Sequence, residues 1–242
     1  MSVGSRASIN TTAHLAAVLY LGTVPFGFFG LKYVSSLSVV GAGSDRSLQA
    51  AERLLRLGIV SNTIGLLLFT LAVLALYEIL KPVSARWSLL MAVLALMSVP
   101  MMLLTEVGRL AAVRLVASGD YGAFTSAQLQ AQAKFVLDLY GDGLLISEVF
   151  WGLWLLPLGL LVYRSRFLPR LVGVAVAIAG VAWLVDWVAE LLAPGLNLPI
   201  DFLRLGELVL PLWLLVMGVN VGKWQEVAAN GASATAGPPA AA

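Results

Sequence analysis

The chain has 242 residues, 60% of them hydrophobic and only 12% charged, which leaves too little polar surface for a water-soluble domain of this size. Its formal net charge is +2, and the bases are scattered instead of forming a stripe with stacking aromatics, so nucleic-acid binding is set aside. With no cysteine and one histidine, His14, it has no disulfide, no thiolate nucleophile, no zinc site of histidines and no haem held by two histidines.

Residues 1–12 are polar with one base, Arg6, and form an N-terminal segment expected on the cytoplasmic side. Six apolar runs follow, at 13–37, 57–80, 87–117, 135–163, 169–193 and 203–222, each near or above the ~20 residues that a bilayer requires. The first is longer than a signal-peptide core and lacks a small-residue cleavage site close behind it, so it is read as a retained helix. The expected fold is therefore all-α: a polytopic membrane helix bundle over 13–222 with six transmembrane helices. Pro25, Pro100, Pro157 and Pro211 each remove a backbone donor inside a run and are expected to kink it. Ser126 is the expected cap of AQLQAQAK, which would prolong the fourth helix outward. Residues 223–242 end in the low-complexity run EVAANGASATAGPPAAA and are expected to be a disordered tail.

The turns at 81–86 and 164–170 carry Lys81, Arg86, Arg164, Arg166 and Arg170 without an acid, and Arg6 and Lys223 fall on their side. The opposite loops mix bases with acids, so the excess of positive charge puts both termini in the cytoplasm.

The fourth run, FVLDLYGDGLLISEVFWGLWLLPLGLLVY, is apolar enough to span yet carries Asp138, Asp142 and Glu148. A carboxylate at the bilayer centre costs about 2.5 kcal/mol or more unless it finds a partner, so these side chains call for a protein-lined interior. At 3.6 residues per turn Glu148 shares a stripe with Gly141, Gly152 and Gly159, and a glycine stripe admits a neighbouring backbone closely. Glu106 and Arg109 lie three apart on the third run, Asp186 and Glu190 four apart on the fifth, and Arg204 and Glu207 open the sixth. With Asp142 and Glu148, all of them fall in the outer half of their spans. This one-sided clustering predicts a polar cavity for a small-molecule, lipid-like or cationic ligand, in which Arg109 and Arg204 could clamp an anionic head group. Two other readings fit the same residues: a membrane enzyme acting on a lipid or prenyl substrate with Glu148 as acid or base, and a structural bundle whose charges pair internally. No carboxylate spacing matches an EF-hand, no metal site is expected, and no cofactor is indicated.

The segments RLGIVSNTIGLLLFTLAVLALYEILKPV, FTSAQLQAQAKFVLDLYGDG and EVFWGLWLLPLGLLVYRSRFLPRLVGVAVAIAGVAWLVD together resemble the bacterial membrane family catalogued as domain of unknown function 4386. The resemblance runs from about 13 to 222 and is most specific over 150–173. It implies a bacterial inner-membrane protein of about six helices and carries no catalytic residue with it. Arg166 stands at a turn position where similar sequences often have glycine.

Overall fold

The computed structural model describes residues 3–33, 45–117, 122, 124–196 and 198–235, and among these all regular structure is helical. Helix α1 is Val3–Gly27, continued by a π-helical stretch at Phe28–Tyr33; α2 is Asp45–Leu80, α3 Ala85–Ala117, α4 Ser126–Arg164 and α5 Arg170–Leu192. The expected end of the first span at 37 and most of the loop after it lie outside the described residues. Short α6, Asp201–Arg204, passes through a 3-10 turn at Leu205–Leu208 into α7, Val209–Val216, and α8 is Val221–Thr235.

Five helices are long and apolar enough to cross a membrane among the described residues: Ile9–Leu31, Glu52–Leu80, Ala85–Leu115, Ser126–Arg164 and Arg170–Leu192. Large apolar side chains stand on their outer faces, with Leu104 71% and Leu171 81% exposed, as suits contact with lipid. The chain is a polytopic membrane protein. The sixth expected span is shorter than its apolar run. From Asp201 to Val216 the helix covers only about 24 Å at 1.5 Å per residue, and α8 then departs at 106°. Gly218 causes the break: its φ of +63° is the left-handed conformation that stops a helix.

Beyond that break the chain stays helical to Thr235, further than its composition suggests. Asn220 caps α8 by accepting the Lys223 N–H at 3.1 Å, and its own N–H donates to the Phe167 carbonyl at 3.2 Å. Trp224 donates through Nε1 to the Ile79 carbonyl at 2.9 Å, which fixes the first turn. The alanine-rich stretch that follows has the propensity to propagate it. At the start of α4 the cap is Thr125, one residue before the expected Ser126. Its hydroxyl accepts the Gln128 N–H at 3.3 Å while Gln128 Oε1 accepts the Thr125 N–H at 2.8 Å, a reciprocal capping box.

The chain forms two compact units, one of Met1–Leu21, Thr70–Met97 and Val149–Ala242, the other of Gly22–Phe69 and Ser98–Glu148. In the first, α4 and α5 meet backbone to backbone. A Cβ on Gly159 would stand 2.7 Å from the Gly173 carbonyl oxygen, and one on Gly180 would stand 2.9 Å from that of Gly152. Only glycine permits this approach, so two of the three glycines of the expected stripe, Gly152 and Gly159, form a packing seam. Gly141, at the other end of the stripe, faces open space.

Candidate functional site

Among the described residues of the unit of 22–69 and 98–148 the buried charges are Glu106 and Arg109, 5% and 1% exposed, one helical turn apart on α3. Arg109 Nη1 donates to both Glu106 oxygens at 3.3 Å, to the Gly30 carbonyl at 3.1 Å and to the Tyr140 hydroxyl at 3.4 Å. Asn62, from the middle of α2, donates to Glu106 Oε1 at 2.6 Å. The guanidinium also lies 4.9 Å from the centre of the Tyr140 ring. Taking two such groups out of solvent costs several kcal/mol each, and these partners offset part of that desolvation. The network ties α2, α3, α4 and the π-helical end of α1 together through one arginine.

Tyr140 has a second role. With Met101, Leu104, Thr105, Gly108, Val136, Leu139, Asp142, Gly143 and Ile146 it lines a groove of about 430 Å³ between α3 and α4. The wall is apolar except for the Thr105 and Tyr140 hydroxyls and the exposed Asp142 carboxylate. A groove with one acid and a long hydrocarbon wall suits an amphiphile. There is space beside Gly108, where a Cβ would make only ordinary contacts, 3.6 Å from Val136, whereas Gly143 lies directly against the Thr105 side chain.

The unit of 1–21, 70–97 and 149–242 has its own charged cluster. Arg204 bridges Asp186 on α5 at 2.6 Å and pairs with Asp201 on α6, while its guanidinium lies 4.6 Å from the Trp183 ring. Glu207 sits beside Trp183 in the field of Arg204. Trp183 packs edge-on against Trp151, with ring centroids 5.4 Å apart at 86°. Trp183 is thus committed to Trp151 and to the arginine.

The Arg109 cluster belongs to one unit and the Arg204 cluster to the other. Glu106 and Asp186 each meet an arginine, the arrangement expected of internal ion pairs. Glu190 and Asp138 are exposed, and Glu148 is half-buried with its Oε2 atom withdrawn from solvent. His14 packs against Asn10, whose Nδ2 lies 3.3 Å from the ring Nε2. Among the described residues no three His, Asp or Glu side chains come together as a metal site. Sequence reasoning missed Asn62 and Tyr140. A lone asparagine inside an apolar run was the signal for the first, and the spacing of Tyr140 from Asp142 and Gly143 on one helix was the available signal for the second.

The family described as Domain of unknown function (DUF4386) matches residues 15–218. The chain belongs to that family. No curated protein and no solved structure matches it. The matched span of this DUF4386 protein takes in both charged clusters and the groove, and ends at Gly218, where α8 is about to begin.

Proposed function

We propose that this protein is a non-enzymatic lipid-binding membrane protein that holds the apolar part of an amphiphile in the groove between α3 and α4, with the ligand's polar end at Asp142. The observation that carries this reading is the groove itself, about 430 Å³ of hydrocarbon-lined space with a single carboxylate. Asp142 favours a head group that donates hydrogen bonds or carries positive charge, since an ionised carboxylate only accepts. Glu106 and Arg109 brace the back of the groove through Tyr140, and Arg204 holds α5 to α6; their charges are spent on each other. In this reading the protein acts as a lipid sensor, carrier or accessory subunit of the bacterial inner membrane.

Both termini lie on the cytoplasmic side in this proposal. It is supported by the Val219 N–H donating to Asn10 Oδ1 at 3.1 Å and by α8 anchoring to Ile79 and Phe167, beside the two basic turns. Mild-detergent extraction followed by native mass spectrometry tests the function. The wild type should retain one lipid-sized adduct, and Gly108→Leu, which fills the groove, should lose it. Equal retention by both would refute the reading.

A further inference from the structure

Another groove among the described residues has the opposite chemistry. In the unit of 1–21, 70–97 and 149–242, a groove of about 530 Å³ is bounded by Pro82, Val83, Ser84 and Trp87, by Leu160, Leu161, Arg164 and Arg166, and by Val227, Asn230 and Gly231 of α8. Its floor is the two turns that join α2 to α3 and α4 to α5, and its third wall is α8. That helix packs closely, since a Cβ on Gly231 would stand 3.3 Å from the Pro82 carbonyl oxygen.

Three observations give this groove an anionic occupant. First, Arg164 and Arg166 both line it and both are exposed, and among the described residues neither pairs with a carboxylate. The one acid on α8, Glu226, is not among the lining residues. Second, Ser84 opens α3 there. Its carbonyl accepts the Ser88 N–H at 3.0 Å and its hydroxyl the Trp87 N–H at 3.5 Å, which leaves the Ala85 and Arg86 amides at the helix start, and the positive end of the helix dipole adds to the two guanidinium charges.

Third, Arg166 is held in place by its backbone. It has a φ of +62°, alone among the described non-glycine residues in having a positive φ, a conformation an L side chain adopts at a cost. The turn is fixed from both sides: Ser165, fully buried, donates to the Val162 carbonyl at 2.8 Å and accepts the Leu168 N–H at 3.2 Å, and Phe167 and Leu168 are buried next to it. Glycine would satisfy this backbone without strain. An arginine maintained there by a rigid turn, with its side chain on a groove, is a placed charge.

The geometry points to a binding site for the phosphate of an anionic phospholipid head group, seated between Arg164 and Arg166 under α8. The lipid source follows from position. Both turns lie at the ends of membrane-crossing helices, and Trp87, 40% exposed in the groove wall, is the residue type that settles at the head-group level. Guanidinium recognises phosphate with paired N–H donors, and Asn230 and Ser84 offer neutral donors beside it.

The test uses the full chain in nanodiscs or mild detergent, titrated with phosphatidylglycerol, phosphatidylcholine and soluble glycerol phosphate. Phosphatidylglycerol should bind more tightly than phosphatidylcholine, with about a fivefold loss for each guanidinium removed. Arg164→Gln with Arg166→Gln should abolish the preference. The decisive variant is Arg166→Gly, which relieves the backbone strain: its melting temperature should hold or rise while its preference for phosphatidylglycerol falls. No preference in the wild type, or a preference that survives the double substitution, would overturn the site. Glycerol phosphate binding as tightly as the whole lipid would overturn the assignment to a membrane lipid.

Discussion

The two ends of α4 solve opposite problems. Over Val149–Arg164 the helix is sealed to α5, with Gly152 and Gly159 against Gly180 and Gly173 and no space between backbones. Over the preceding turns it meets α3 through side chains, Gly143 lying against Thr105, and a groove stays open beside Gly108 of α3. The same residue type does both because the difference lies in what faces it. At the seam another backbone comes within 3 Å of the missing Cβ; at Gly143 only the Thr105 side chain does, and at Gly108 the nearest atoms are at ordinary contact distance. A glycine in a membrane helix thus marks either a contact or a vacancy, and only the facing residue distinguishes them.

Five substitutions sharpen that contrast. The largest effect should come from Arg109→Leu, which strands the buried Glu106 carboxylate and should cost about 3–5 kcal/mol in a reversible unfolding titration. Adding Glu106→Leu should recover part of that loss, so the pair costs less than the sum of its members. Next, Gly159→Leu at the seam should cost about 1–3 kcal/mol or more, because the new side chain meets the Gly173 and Ala177 backbone. Asp186→Asn should cost no more than about 1 kcal/mol, since that pair is 23% exposed on each side and Arg204 keeps Asp201. Gly108→Leu should have the smallest effect on stability, within about 0.5 kcal/mol, while removing bound lipid. If it proved as destabilising as Gly159→Leu, the groove would be a seam like the other.

The sequence made the membrane spans legible because apolar length is a one-dimensional property, and the basic turns because charge excess is as well. It also made the pairing of Glu106 with Arg109 legible, since a spacing of three on a helix puts both on adjacent surface. The pairing of Asp186 with Arg204 was not, because it depends on how α5 and α6 face each other. Nor did the apolar run at 203–222 reveal its break: Gly218 looks like any membrane glycine until its φ is known. Ordering of α8 likewise rests on Asn220 and Trp224 finding carbonyls on Phe167 and Ile79, contacts between residues 53 to 145 positions apart that no local composition encodes. Asp138, Asp142 and Glu148 stood out together as acids in an apolar run, but the run does not reveal that Asp142 borders a groove while Glu148 does not, because that depends on how α3 faces α4.

The most direct measurement is photolabelling of the full chain in bilayers with a phospholipid bearing a diazirine on its acyl chain, followed by peptide mapping. Label should concentrate on peptides containing 101–108 and 136–146 and should fall several-fold there in Gly108→Leu, with the other lipid-facing helices unchanged. Label spread evenly over all membrane-facing helices, and unaffected by Gly108→Leu, would contradict a lipid-holding groove between α3 and α4.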